Sequence, residues 1–311
     1  MSLLKQPYEI KTDNLKPGMI ISGQPGVGKS TLALSMPNPV MIDADNGVHR
    51  VDQRHRVPTL QVTSYQEVLD LIASDEIKPF ETIVIDTVGR LLDFINVHIV
   101  KENPKLGQSD GQLAIKGWGV RAQVFRALLN TVKTMGKYLV FIAHITEDKD
   151  GDSKIIRPDF GGGKAGYDLI KDVDVVGYME MLGRERTISF APTERYYAKN
   201  SAKLDDVLKI PVLKDGVPND FMTKIMSRFK DAADQEVVRL NEYTVLMEQI
   251  KTTIDGIADV ETANAVVAEM DKLPEVWDSK IKARAMFKAQ IDMLKLTYDK
   301  ENKTFVAPVA A

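Results

Sequence analysis

The chain contains no cysteine, which excludes disulfides and thiolate-ligated metals and suits a reducing cytoplasm. It has no apolar run approaching the length of a membrane span, and residues 1–16 read as neither a signal peptide nor a transit peptide. A cytoplasmic protein without a membrane partner is therefore expected. Charge of one sign is also lacking: 41 Lys and Arg against 44 Asp and Glu give a formal net charge of −3, with a pI of about 5.9. Bulk charge thus announces no nucleic-acid binder, and any such binding must come from local patches. There is no internal repeat. The 311 residues suffice for a large core, as two domains or as one large domain with an appendage.

The stretch Gly23-Gln24-Pro25-Gly26-Val27-Gly28-Lys29-Ser30 fits the Walker A pattern of glycine, four residues, then Gly-Lys-Ser/Thr. Residues 18–22 enter it as an apolar strand and residues 31–36 leave it as a helix, the context the motif needs. Its glycines let several backbone N–H groups converge on one anion, and the helix adds the positive end of its dipole. Gly23 through Ser30, with Thr31 next, are the expected nucleotide-binding residues; Lys29 would reach the β and γ phosphates and the Ser30 hydroxyl would hold Mg²⁺. ATP and Mg²⁺ are the expected cofactors. Residues 82–87, Thr-Ile-Val-Ile-Asp-Thr, read as a Walker B strand whose Asp86 orients Mg²⁺. A plain buried strand ending in a cap aspartate is the alternative, disfavoured by the Walker A match.

Elsewhere, residues 39–43 form a short apolar run closing on Asp43, with Asp45 just beyond, at the sheet edge where α/β proteins bind ligands. Residues 49–56 read as a basic surface segment and 60–62 as an edge strand. Ser64 caps a helix to Ala73, with Glu67 completing a capping box. Helices are expected over 88–101 and 118–135, and a buried strand over 138–143 ends on His144, which reads equally as structural or as a reporter of the γ-phosphate. Residues 146–166, polar and glycine-rich, read as a mobile loop. Strands at 173–182 and 187–191 are joined by 183–186, and 196–199 is a short edge strand. From Asp231 the period is helical, with Val237, Leu240, Met247, Ile250 and Ile254 on one face. Helices at 263–270 and 275–298 follow, the last with Pro274 at its first turn and a basic, solvated face. The expected organisation is a segment 1–16, a core 17–230, a helical bundle 231–300 and a disordered tail 301–311. His49 and His55 lack a third ligand, so no zinc site is expected.

The order of these motifs resembles the RecA-like ATPase core over residues 16–201: Walker A, Asp43-Ala44-Asp45-Asn46, Ile85-Asp86-Thr87, a long helix, then Phe141-Ile142-Ala143-His144 and a glycine-rich stretch. More narrowly it resembles phage-encoded RecA-like single-strand annealing recombinases. The resemblance implies an α/β fold with a mostly parallel central sheet flanked by helices, to which the helical period beyond Asp231 adds a small all-α C-terminal region. Thr87 stands where AAA+ ATPases carry a catalytic glutamate, which argues against that class. RecA-like enzymes place their catalytic carboxylate where this chain has Asp45, one methylene shorter than glutamate, and a γ-phosphate-sensing glutamine where it has His144. Lys29, Asp45, Asp86 and His144 are thus the expected catalytic set.

By the same resemblance, residues 102–117 and 146–166 correspond to DNA-binding loops. Lys105, Lys116, Lys154, Arg157 and Lys164 would meet phosphates, while Trp118 and Phe160 would stack on bases. Asp148, Asp150 and Asp152 oppose this, and an ordinary solvated loop is the alternative. Arg184, Arg186 and Lys199 are candidates for a positive side chain reaching a neighbouring subunit's nucleotide. The implied partners are single-stranded DNA, further copies of the chain in a ring or filament, and a single-strand-binding protein or recombination exonuclease, in the bacterial host's cytoplasm if the protein is phage-encoded. A nucleotide-gated loader with little hydrolysis stays open as an alternative. So does a small-molecule phosphotransferase, disfavoured because Arg157 is the one arginine in the would-be lid.

Overall fold

The computed structural model describes residues 5, 9, 15–150, 153–162, 164–270 and 272–307. The chain divides into two compact units, residues 13–230 and residues 231–311 with 1–12.

The larger unit is α/β. In chain order it begins with β1 (Met19–Gly23), α1 (Lys29–Ala33), β2 (Pro39–Asp43), β3 (Thr59–Gln61), α2 (Tyr65–Ala73), β4 (Thr82–Asp86) and α3 (Val88–Glu102). There follow α4 (Ile115–Thr134), β5 (Tyr138–Ala143), β6 (Ile145–Asp150), β7 (Ser153–Pro158) and α5 (Lys164–Lys171). It closes with β8 (Val175–Leu182), β9 (Glu185–Ser189), β10 (Lys199–Asn200), β11 (Val207–Ile210) and the start of α6 (Phe221–Asp255). The main sheet runs β11-β9-β8-β1-β5-β4-β2-β3, with β10 also paired to β8. From β8 to β3 every pairing is parallel, and β9, β10 and β11 join antiparallel.

β1, β4 and β5 are buried at every position, as near-continuous apolar strands must be when both faces of a parallel sheet are covered. One face packs on α2, α3 and α4 through Val68, Leu91 and Phe125. The other packs on α1 and the first turns of α6 through Leu32, Met222 and Met226. Parallel direction sets the carboxyl ends of β1, β2, β4 and β5 along one edge, so Gly23, Asp43, Asp86 and Ala143 finish together.

Several sequence expectations are corrected. Residues 146–150 and 153–158 lie in the antiparallel strands β6 and β7 rather than a mobile loop. Four of their charges form ion pairs within the hairpin, Lys154 with Glu147 and Arg157 with Asp148, which favour pairing over a solvated coil. α4 begins earlier than expected, at Ile115. Ser64 Oγ accepts from the Glu67 N–H, but the Glu67 carboxylate accepts from Thr63 N–H, so the capping box closes one residue early. β9 begins at Glu185, leaving Gly183 and Arg184 as the turn, and β11 is a strand the sequence pattern did not reveal.

In the smaller unit, α6 beyond Lys230 joins α7 (Val260–Met270) and α8 (Ser279–Met293) around Leu246, Ile250, Ile254, Ala263, Ala283 and Phe287. It is not all-α: β12 (Thr297–Asp299) pairs antiparallel with β13 (Thr304–Val306). Residues 304–306 are therefore strand rather than disordered tail, and Phe305 packs on Phe287 and Tyr298. α8 starts at Ser279, so Pro274 precedes it instead of sitting in its first turn, and α6 starts at Phe221 rather than Asp231. Most of the segment 1–16, and residues 308–311, lie outside the described residues. Among the described residues no helix is long and apolar enough to cross a membrane.

Candidate functional site

β1 ends on Gly23, where a Cβ would collide with the Met179 carbonyl of β8. Gly28, at φ 102°, sits in the left-handed region as the N-cap of α1, a conformation that costs any other L residue strain. α1 covers only Lys29–Ala33 rather than reaching residue 36. So short a helix carries a small dipole, and the free N–H groups of the loop and first turn are its main anion-holding feature. Lys29 is 7% exposed, and its Nζ donates to the carbonyls of Gly23 and Gln24 at 2.9 Å each. Burial lowers its pKa and the charge of Asp86 partly restores it. A desolvated ammonium held by two carbonyls gains from an arriving phosphate.

Ser30 Oγ donates to Asp86 Oδ2 at 2.6 Å, joining the two expected Mg²⁺ residues across the loop. Asp86 is 8% exposed. Burial raises its pKa above the usual carboxylate range, and Asp43 and Asp45 push the same way, against the Ser30 hydrogen bond and the Lys29 charge. A desolvated carboxylate beside other carboxylates and a hydroxyl is a hard-oxygen set that a divalent cation relieves, and these residues fit Mg²⁺.

Asp43, overlooked as a structural residue in the sequence, is 1% exposed and uses both oxygens on the turn after β2: Oδ1 accepts from Gly47 N–H and Oδ2 from Val48 N–H, each at 2.9 Å. That turn presents Asp45, whose N–H donates to the Asp86 carbonyl at 3.1 Å and whose carboxylate lies 3.6 Å from Arg50. Thr87 Oγ1 caps α3 by accepting from Arg90 N–H.

His144 is exposed just past β5, its carbonyl accepting from Asp159 N–H at 2.8 Å. A cleft of about 560 Å³ is bounded by Asp45, Thr87 and His144 on the sheet side and by residues 111–113, Trp118, Arg121 and 159–162 opposite. Arg121 has no motif to flag it, yet it is 2% exposed and donates to the carbonyls of Phe160 and Gly161. Burial lowers its pKa to about 10. It ties the segment after β7 to α4.

The other expected site residues divide. Lys105 and Lys116 are exposed, and among the described residues neither makes an ion pair. Lys154 and Arg157 are engaged within their hairpin, and Arg157 also lies 4.4 Å over the Tyr167 ring. Trp118 lines the cleft with one face against Arg121 at 4.5 Å. Phe160 is corrected: at 2% exposed and packed edge-on to Phe125 it cannot stack on a base. Asp152 and the side chains of Asp150 and Lys164 lie outside the described residues.

Among the three candidates for a trans-acting cation, Arg184 is exposed in the β8–β9 turn. Arg186 instead faces this chain's own phosphate loop, its Nε 3.6 Å from where a Gly28 Cβ would stand. Lys199 donates to the carbonyls of Lys171 and Val173 at 2.8 and 2.7 Å, capping the end of α5 rather than reaching outward.

A family model described as an AAA domain matches residues 15–202, more than half of the chain, and the chain belongs to that family. Its mostly parallel sheet and phosphate loop are those of a P-loop nucleotide-binding fold within that AAA-domain family. Thr87, read from the sequence as speaking against the AAA+ class, is a helix-capping threonine in a chain that belongs to a family described as AAA, so that exclusion does not hold. No curated protein matches the chain. Among solved structures it is similar to a KaiC-like protein of the hyperthermophilic archaeon Pyrococcus horikoshii OT3, with a TM-score of 0.34 and 11% identity over 56% of this chain and 77% of that one. So remote a likeness bears on neither substrate nor partner.

Proposed function

We propose that this protein is a Mg²⁺-dependent ATPase that binds single-stranded DNA as an oligomer, is stimulated by it, and promotes annealing or strand pairing in homologous recombination. The observation that carries this reading is the cleft that joins Asp45, Thr87 and His144 to residues 111–113, Trp118 and 159–162. In this reading the cleft lets a γ-phosphate beside Asp45 and His144 communicate with DNA held along residues 111–113, Trp118 and 159–162.

In this mechanism Lys29 exchanges its two carbonyl partners for phosphate oxygens, and the loop N–H groups hold the remaining phosphate charge. Ser30 and Asp86 would hold Mg²⁺, which when bound would supply charge neutralisation to the phosphates. Asp45 orients the attacking water and receives its proton, and His144 reports the γ-phosphate to the cleft. Catalysis of this kind is chiefly positioning and charge stabilisation. Exposed Lys105 and Lys116 supply the first phosphate contacts to DNA.

One observation favours a second reading. Asp45 is paired with Arg50, which occupies a carboxylate already one methylene short of reaching the water, and a nucleotide-gated loader that hydrolyses little follows from that. The test of the proposal is fluorescence anisotropy of a labelled single-stranded oligonucleotide, with and without Mg-ATP, across a salt series. Binding that requires Mg-ATP and weakens with salt is expected. No binding at low salt with Mg-ATP present contradicts it.

A further inference from the structure

A cavity of about 190 Å³ opens where β1 and β5 begin, at the edge of the main sheet opposite the one that carries Gly23, Asp86 and His144. We infer that it is a binding site for a small free oxyanion of the phosphate class, held by Lys133 and Lys137 with Arg126 beside them. The inference goes beyond the nucleotide and DNA readings above and depends on neither.

The charge of the lining points to an anion. Four cations, Lys16, Arg126, Lys133 and Lys137, face two carboxylates, Asp172 and Asp174. The excess of positive charge matches the roughly −1.5 to −2 of a phosphate group at neutral pH. Both carboxylates are already engaged: Asp172 Oδ2 accepts from Arg126 Nε at 2.8 Å, and Asp174 Oδ2 accepts from Gly18 N–H at 2.9 Å. Lys16 pairs at 3.1 Å with Glu81, which does not line the cavity. Among the described residues Lys133 and Lys137 make no ion pair, so the surplus rests on them.

Lys137 carries the argument furthest. It is 8% exposed, and its Nζ donates to the carbonyls of Lys78 and Phe80. An ammonium has three donors, and these carbonyls take two. Burial lowers its pKa, the charge of Lys16 lowers it further, and Glu81 partly restores it. A desolvated cation repelled by a second cation on the same cavity wall gains from an anion between them. Along α4, Arg126, Asn130 and Lys133 stand at i, i+4 and i+7, one face of the helix turned to the cavity. The helix dipole favours a cation at Lys133, in the last turn, but it does not explain Lys16 and Lys137 beside it.

Volume sets the size of the ligand. The cavity is smaller than the roughly 300–1,000 Å³ usual for sites that take nucleotide-sized molecules. At about 30 Å³ per water it has room for about six water-sized groups, enough for a phosphate ion with part of its hydration shell.

The test is thermal melting of the full chain across a series of inorganic phosphate, with ionic strength held constant by chloride. Lys29→Ala serves as the background, so that phosphate at the nucleotide loop does not contribute. A melting temperature that rises and saturates, by roughly 3–6 °C at ten times the Kd, is expected. Lys133→Ala in that background is expected to weaken phosphate about tenfold, and the exposure of Lys133 keeps folding out of question. Lys137→Met is expected to abolish the saturable rise. A rise that never saturates is the general salting effect of phosphate and overturns the site. So does a saturable rise unchanged in Lys133→Ala. Because the readout needs neither ATP nor DNA, failure of this inference leaves the proposed ATPase standing, and failure of the ATPase leaves this site to be judged by the same melts.

Discussion

Asp86→Asn should stabilise the nucleotide-free protein while disabling it. Asp86 is 8% exposed, and among the described residues its carboxylate accepts one hydrogen bond, from Ser30. Burial first, then the charges of Asp43 and Asp45, raise its pKa. A carboxyl whose folded pKa is raised binds its proton more tightly folded than unfolded. Its ionisation therefore destabilises the fold as pH climbs from the unfolded value, near 4, through the folded one. Asparagine keeps the shape and can still accept from Ser30, but it carries no charge.

Removing a buried, under-satisfied charge is worth on the order of 1–3 kcal/mol. At about 2–4 °C per kcal/mol for a domain of this size, the variant should melt several degrees higher at pH 8. The assay is thermal melting in chelator without nucleotide, repeated down to about pH 4. The gap should close as the wild-type carboxyl takes up its proton. With Mg-ATP added the order should reverse, since only the wild type holds the cation. A variant less stable at pH 8, or a gap that widens on acidification, would refute the reasoning.

Lys29→Ala should leave the fold intact and raise the Kd for Mg-ATP at least a hundredfold, as read by titration, because it removes a charge-assisted contact to phosphate. Asp45→Asn should bind ATP as the wild type does while turnover falls by orders of magnitude; a wild-type rate would show that another residue activates the water. Arg121→Met leaves the carbonyls of Phe160 and Gly161 without their donor, so it should cost about 1–3 kcal/mol. It should also speed amide exchange over residues 159–162 more than elsewhere, and uniform exchange would contradict the tie to α4.

The parallel core was legible because buried strands with both faces covered are written as unbroken apolar runs, and β1, β4 and β5 are of this kind. The phosphate loop was legible because its glycines answer local demands, a close approach at Gly23 and a left-handed backbone at Gly28. The β6–β7 hairpin was not, since its strands are held by ion pairs, and charged, glycine-flanked composition reads as coil. Arg121 was illegible for another reason: its role depends on which carbonyls lie opposite, and topology alone decides that. The burial of Phe160 follows likewise from its partner Phe125 on α4.

The most direct test of the central claim is steady-state ATP hydrolysis with and without single-stranded DNA, at low and moderate salt, with Lys29→Ala as the blank. Hydrolysis absent from the blank, stimulated by DNA and less stimulated as salt rises, is the predicted result. A rate indifferent to DNA at low salt, or one that survives in Lys29→Ala, would contradict it.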